Sequence, residues 1–308
     1  MSAAARHHPP ARRGPRGAGE RMATLCLMPA WTMALALYVG TLGWTVWLSL
    51  TDSHLLPINH FVGLAQYRRL WNSARWLISA ENLVIFGIGF IGLCLLLGVL
   101  LAICLDQKVR FENTLRSIFL YPYATSFIIT GLVWQWLLNP TQGIPAVLQG
   151  LGWTSGGSWL GSPRWAIFAI VLAGVWQASG MVMVIVLAGL RGIDENIWKA
   201  ARIEGIPSHR VYRSIALPMI KPTLVMTTVL LSLSVIKAYD LVVAMTKGGP
   251  GMATEVPAKY IMTYLFERQN IALASAATCM MLLTAAMVLL PWIYATRWRR
   301  RRPSKESV

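Results

Sequence analysis

The chain has 308 residues, 56% of them hydrophobic and only 13% charged, with a mean hydropathy of +0.53. Soluble domains carry roughly 25% charged residues, so this composition excludes a chain organised around a water-facing surface. The net charge of +16 does not indicate a nucleic-acid groove, because Lys and Arg gather at the two ends and in two loops rather than along one soluble face.

Residues 1–21 are rich in Ala, Gly, Pro and Arg, with His7 and His8. They lack apolar periodicity and predict a disordered basic tail. The apolar stretch that follows is too long for the core of a signal peptide. Long unbroken apolar runs, several near the ~20 residues that cross a bilayer as a helix, exclude the alternating pattern of a β-barrel. The expected fold class is an all-α integral membrane protein. Six transmembrane helices are predicted at about 25–50, 82–105, 115–138, 165–190, 223–245 and 271–296, within a membrane domain of 22–297. Residues 298–308 form a second basic tail. Pro29, Pro122 and Pro291 are tolerable in lipid because neighbouring helices can satisfy the freed carbonyls.

Charge placement predicts orientation. Twenty of the 28 Lys and Arg lie in the first tail, the 106–114 loop with its edge, the 191–221 loop and the second tail; seven lie on the opposite side and Lys237 lies within a span. That asymmetry places both termini in the cytoplasm. Trp44, Trp47, Trp134, Trp136, Trp292, Tyr294 and Trp298 sit near span ends, as an interfacial belt does. Cys26, Cys94, Cys104 and Cys279 lie in apolar stretches without zinc-type spacing and read as small apolar residues.

The polar segment 191–218 between two spans is the most patterned part of the sequence. Asp194 and Glu195 favour the positive end of a helix. Ile197, Ala200, Ala201 and Glu204 then recur at helical spacing, Gly205 supplies a left-handed stop, and Pro207 forbids continuation. Ser208 is placed to cap a second short helix that Pro218 closes. Ala200 and Ala201 on one side would let another backbone approach closely, as when a helix docks in a groove on a soluble partner. An amphipathic loop resting on the membrane surface is the plainer alternative.

This segment, with Ala200-Ala201, Gly205 and Ile215-Ala216-Leu217-Pro218, resembles the "EAA" loop of permease subunits in binding-protein-dependent ABC importers. Ser49-Leu50-Thr51-Asp52, Phe61 to Tyr67, Trp134 to Gly143 and Lys237 to Pro250 with Thr254-Glu255 and Tyr260 are similar to the carbohydrate branch, the first permease of maltose and glycerol-phosphate systems. The resemblance covers about residues 25–297. It implies a type I importer permease fold in an inner membrane, with residues 194–206 as a coupling helix. Ile197, Lys199, Ala200, Ala201, Glu204, Gly205, Ile215, Leu217 and Pro218 are then the residues that meet the ATPase. Lys199 departs from the family's usual Glu. The implied partners are an ABC ATPase dimer, a second permease, an extracytoplasmic binding protein, a sugar substrate and membrane lipid, with no nucleic acid. No cofactor is expected in this chain, because ATP and Mg belong to the ATPase. The form of 239–246 and 253–260 looks most like permeases for glucose or mannose.

By the same resemblance the fourth and fifth spans flank the pathway. Trp176, Gln177, Ser179, Met181, Ser234, Lys237, Tyr239 and Asp240 are its candidate lining. A sugar needs hydrogen-bonding groups and an apolar face, and Trp176 with Gln177 offers both; polar side chains that merely pack helices together are the alternative. Lys237 and Asp240, three apart, fall on one face of the predicted fifth span, either as a structural pair near its outer boundary or as lining. No GxxxxGK[ST] occurs, so no ATPase is expected here, and no nucleophile elbow or metal-binding helix is present. The competing reading is a stand-alone secondary transporter that uses Lys237 and Asp240 for ion coupling.

Overall fold

The computed structural model describes residues 16–57, 60–107, 109–152 and 158–300. Most of the first expected tail and the end of the second, residues 1–15 and 301–308, lie outside them. The chain divides into two units, one up to Trp47 and one from Leu48 onward. Among the described residues the first unit is one helical stretch, the part of α1 (Arg16–Ser49) up to Trp47, with exposed apolar side chains and Pro29 inside it. It begins at Arg16, so part of the segment expected to be disordered is helical. Arg and Ala are strong helix formers and extend the apolar helix through the tail's last residues.

The second unit runs through α2 (Ala65–Trp71), α3 (Ala74–Asp106), α4 (Glu112–Leu120), α5 (Phe127–Leu137), α6 (Ile144–Gly150) and α7 (Ala166–Arg191). Then come α8 (Glu195–Ile203), α9 (Ser208–Val211), α10 (Leu217–Met219), α11 (Lys221–Ile236), α12 (Asp240–Thr246), α13 (Pro257–Met262) and α14 (Ile271–Arg300). Among the described residues four helices are long and apolar enough to cross a membrane: α1, α3, α7 and α14. Two bent pairs raise the number to six if each is one span: 112–124 with 127–137, bent by 99°, and 208–219 with 221–236, bent by 70°.

The core forms where α3 and α7 lie against each other. Two-thirds of the apolar window of α7 is buried inside the chain, which makes it the central element. Its small residues explain why: Ala169, Ala173, Gly174, Ala178 and Gly180 let neighbouring helices approach closely, the packing mode that works in lipid. Gly180 is the tightest case, since a Cβ there would collide with the Phe119 carbonyl in the last turn of α4, just before the kink.

Two spans differ from the sequence expectation. The third is not one helix over 115–138; it turns at Thr125 and Ser126, both extended, after a 3-10 turn at Tyr121–Ala124 containing Pro122. Ser126 then caps α5 by accepting from the Ile128 N–H at 3.3 Å. The fifth is not continuous over 223–245, because α11 stops at Ile236 and Asp240 starts a separate helix, α12, that packs on α5. Asp240 sits in the first turn of α12, where the positive helix end favours a carboxylate.

Candidate coupling surface and pathway cavity

The segment 191–218 folds into the helix its pattern predicts. Asp194 is the N-cap of α8 and accepts from the Asn196 N–H at 2.9 Å. At the other end Gly205 has φ +66°, its N–H bonds the Arg202 carbonyl at 3.2 Å, and the Ile206 N–H bonds the Ala201 carbonyl at 3.0 Å. That pair of bonds is a Schellman stop, which satisfies two carbonyls the helix end would otherwise leave open.

The two faces of α8 divide differently from the expected alanine pair. Ala201 is buried, Ile197 is half-buried, and Ala200 points outward with Lys199, Arg202 and Glu204. Adjacent residues are about 100° apart on a helix, so two consecutive alanines cannot both sit on one narrow face. Lys199 pairs with Glu195 one turn earlier at 3.4 Å, both exposed, in the orientation that favours a helix. The charge that departs from the family pattern is therefore matched within α8. Sequence reasoning missed Ile203, a large apolar side chain 87% exposed at the end of α8. Its signal was a β-branched residue two positions before the stop glycine, on the face opposite the buried Ala201.

The residues after α8 also differ from expectation. Ser208 is the first residue of α9 rather than its cap, which is Pro207. Pro218 does not close the helix. A π turn at Tyr212–Ala216, in which the Leu217 N–H bonds the Tyr212 carbonyl, widens the backbone just before it. The wider turn relieves the clash a proline ring makes with the carbonyl four residues back, so the helix continues to Met219 and bends at Ile220. Ile215 and Leu217 are half-buried there and Pro218 is exposed.

Behind α8 lies a polar cavity of about 960 Å³ lined by Asp106, Glu112, Arg191, Glu195, Arg202 and Tyr212 among others. The Tyr212 hydroxyl donates to Asp106 Oδ2 at 2.7 Å, and the Tyr212 ring meets Trp198 of α8 at 5.3 Å between centroids. Arg191 donates to Glu112 Oε1 at 2.6 Å and lies 4.0 Å from Asp106 Oδ1.

A second cavity, of about 240 Å³, opens among α3, α5, α7, α11 and α12. It gathers four of the eight expected pathway residues, Ser234, Lys237, Tyr239 and Asp240, beside Phe86, Phe90 and Phe127. Phe86 and Phe90 stack at 5.4 Å. The aromatic lining was absent from the sequence expectation, because phenylalanines in an apolar run carry no signal that separates core from lining. The other four lie on α7 outside this lining. Gln177 is buried and donates to the Thr125 carbonyl at 2.7 Å, holding the kink of the third span. Trp176 meets Trp134 edge-on at 6.1 Å, and Ser179 and Met181 are half-buried. Lys237 and Asp240 do not share a helix face, since the break at 237–239 separates them; both are exposed, and no ion pair joins them.

The end of the fold opposite α8 is held by polar clamps. Arg75 meets both oxygens of the buried Glu255 at 2.7 Å, and the Asn82 amide donates to the carbonyls of Met252 and Glu255 at 3.1 and 2.9 Å. Thr254 bonds Thr246 at 2.7 Å and the Gly249 carbonyl at 2.8 Å, closing the turn after α12. Gln66 donates to the Thr51 carbonyl and to Asp52, and Ser49 meets Tyr67 at 2.9 Å. Ser49, Thr51, Asp52, Gln66, Tyr67, Thr246, Gly249, Thr254 and Glu255 lie in the motifs that carried the carbohydrate-branch resemblance, whereas Arg75, Asn82 and Met252 lie outside them. On the same end the Lys259 ammonium holds the Glu267 carboxyl below its ordinary range through a hydrogen bond and its charge.

A helical membrane core with a capped, outward-facing helix at one end and a small polar-aromatic cavity within it defines a transport component. Residues 94–300 match the family of binding-protein-dependent transport system inner membrane components, and the chain belongs to that family. It is 38% identical over 275 residues to a probable ABC transporter permease protein of Pyrococcus horikoshii, covering 88% of this chain and 94% of the relative. It is 33% identical over 271 residues to the xylose/arabinose import permease protein of Haloferax volcanii, covering 87% and 85%. Its fold matches a chain of a bacterial ABC transporter involved in import of the acidic polysaccharide alginate, with a TM-score of 0.74 at 19% identity over 92% of this chain and 96% of that one. The reading as a stand-alone secondary transporter is not favoured by this membership or by the separation of Lys237 from Asp240.

Proposed function

We propose that this chain is the permease subunit of an ATP-driven sugar importer, forming half of the pathway and working with a second permease in an inner membrane. An extracytoplasmic binding protein delivers the sugar, and an ABC ATPase dimer holds ATP and Mg and hydrolyses the nucleotide. Both termini and α8 face the cytoplasm, in keeping with the distribution of Lys and Arg. The domain division of 22–297 between two basic tails follows from the same reading.

Residues 194–206 are the coupling helix. Its outward face, Lys199, Ala200, Arg202, Ile203 and Glu204, offers one large apolar anchor ringed by polar groups, the arrangement that seats a helix in a groove. Glucose or mannose is the proposed substrate. The observation that carries this assignment is the 240 Å³ cavity, where a stacked aromatic pair faces Ser234, Lys237, Tyr239 and Asp240. Aromatic faces take the apolar side of a pyranose while ionic and hydroxyl groups take its hydroxyls.

Uptake of radiolabelled glucose by cells expressing the complete transporter tests this. The expected result is ATP-dependent uptake that excess mannose suppresses, with Asp240→Ala lowering it about tenfold, the scale of one hydrogen bond to a charged group. Uptake of neither hexose while pentoses or disaccharides enter would contradict the substrate assignment.

A further inference from the structure

Asp106 breaks a local rule. It is the last residue of α3, where the negative end of the helix disfavours a carboxylate. Its two ionic neighbours obey the rule, with Glu112 in the first turn of α4 and Arg191 in the last turn of α7. A residue placed against its helix dipole persists when other contacts over-determine it, and such places gather at functional positions. Here the contacts are divided between the two carboxylate oxygens: Oδ2 accepts from Tyr212 at 2.7 Å, and Oδ1 lies 4.0 Å from Arg191. One group thus joins the segment after α8 to the ends of α3 and α7, and Arg191 extends the chain to α4 at 2.6 Å. Tyr212 is also the first residue of the π turn and packs its ring on Trp198 of α8. A displacement of α8 therefore reaches three membrane helices through one hydroxyl.

We propose that Tyr212, through its hydrogen bond to Asp106, is the positioning residue that transmits movement of α8 to the membrane helices. This rests on the coupling role of α8 proposed above. Trp198 and Tyr212 move together as a packed aromatic pair, and Asp106 converts that movement into a shift of the ends of α3 and α7. Packing alone would not require the hydroxyl, because the buried ring keeps its contact with Trp198 when the oxygen is removed.

The test uses the complete purified transporter in lipid nanodiscs, with the four native cysteines replaced by serine and a reporter Ala238→Cys in the cavity lining. ATP with orthovanadate traps the closed ATPases, and a thiol reagent reads access to the cavity. Without further change, trapping is expected to alter labelling of the reporter several-fold, the scale of a population shift of about 1 kcal/mol. In Tyr212→Phe, vanadate trapping is retained while the several-fold nucleotide-dependent change in labelling is lost, since one hydrogen bond to a charged acceptor is of at least that scale. Asp106→Asn, which still offers a carbonyl oxygen to Tyr212, keeps most of the change, whereas Asp106→Ala loses it. Tyr212→Phe and Asp106→Ala combined are no worse than either alone, as a shared contact requires. A full labelling response in Tyr212→Phe, or equal loss in Asp106→Asn and Asp106→Ala, would overturn the proposal. Failure of the unmodified chain to bind an ATPase at all would instead overturn the coupling role of α8.

Discussion

Gly205 holds the end of α8 with a backbone that side-chain residues avoid, at φ +66°, and a Cβ there would meet no neighbour. Gly205→Ala therefore costs only conformational strain, about 1 kcal/mol, and leaves uptake measurable. Gly205→Pro also removes the N–H that bonds Arg202 and forces φ negative. It is expected to abolish uptake while membrane insertion, read by fractionation, stays normal; retained uptake would show that the helix end does not couple. Lys199 makes the opposite prediction. Its pair with Glu195 is exposed, so Lys199→Ala changes uptake by less than about twofold, in line with the small value of surface pairs. A large loss would mean that the Lys199 charge, rather than the Ile203 anchor, carries the binding of this face to the ATPase. The Arg75–Glu255 pair is different again, since Glu255 is 3% exposed. Arg75→Ala strands a buried carboxylate at a cost of about 3 kcal/mol, and a lower apparent melting temperature of the purified protein is expected. Restoration by adding Glu255→Gln would confirm that the stranded charge is the cause, and no drop in melting temperature would refute it.

Among the elements, the straight helices were legible and the broken ones were not. Hydropathy located α3, α7 and α14 because each is one long apolar run, and the Asp194 and Gly205 signals fixed both ends of α8. The break at Lys237 to Tyr239 carries neither Gly nor Pro, so local propensity offered no reason to stop α11. The break depends on α12 packing against α5, which is a tertiary effect. Pro218 misled in the other direction: it reads as a helix stop, yet the π turn absorbs it. Four of the ten residues lining the candidate pathway cavity were visible as polar residues in apolar runs. Phe86, Phe90 and Phe127 were not, because only the bend of the third span brings Phe127 to α3. That bend rests on Gly180, which touches the Phe119 carbonyl. Gly180→Leu is expected to drive α7 from the kink, overpacking the core by about 1–3 kcal/mol, with reduced yield of folded protein on size-exclusion chromatography. A normal elution profile and normal uptake would show that the kink does not depend on that contact.

At the scale of the whole molecule, the parts form a graded device. One end presents the capped helix α8, and the other is held by the Arg75–Glu255 clamp and the Thr246–Thr254 turn. Between them α7 links the polar node at Asp106 to the cavity at Asp240. On the function proposed above the chain supplies half of a pathway and a docking helix for a separate ATPase, so the central claim is one of assembly. The most direct test is to purify the tagged chain from native membranes in a detergent shown to preserve such complexes, and to identify by mass spectrometry what accompanies it. The account predicts an ABC ATPase together with a second permease. Recovery of the chain alone would contradict it.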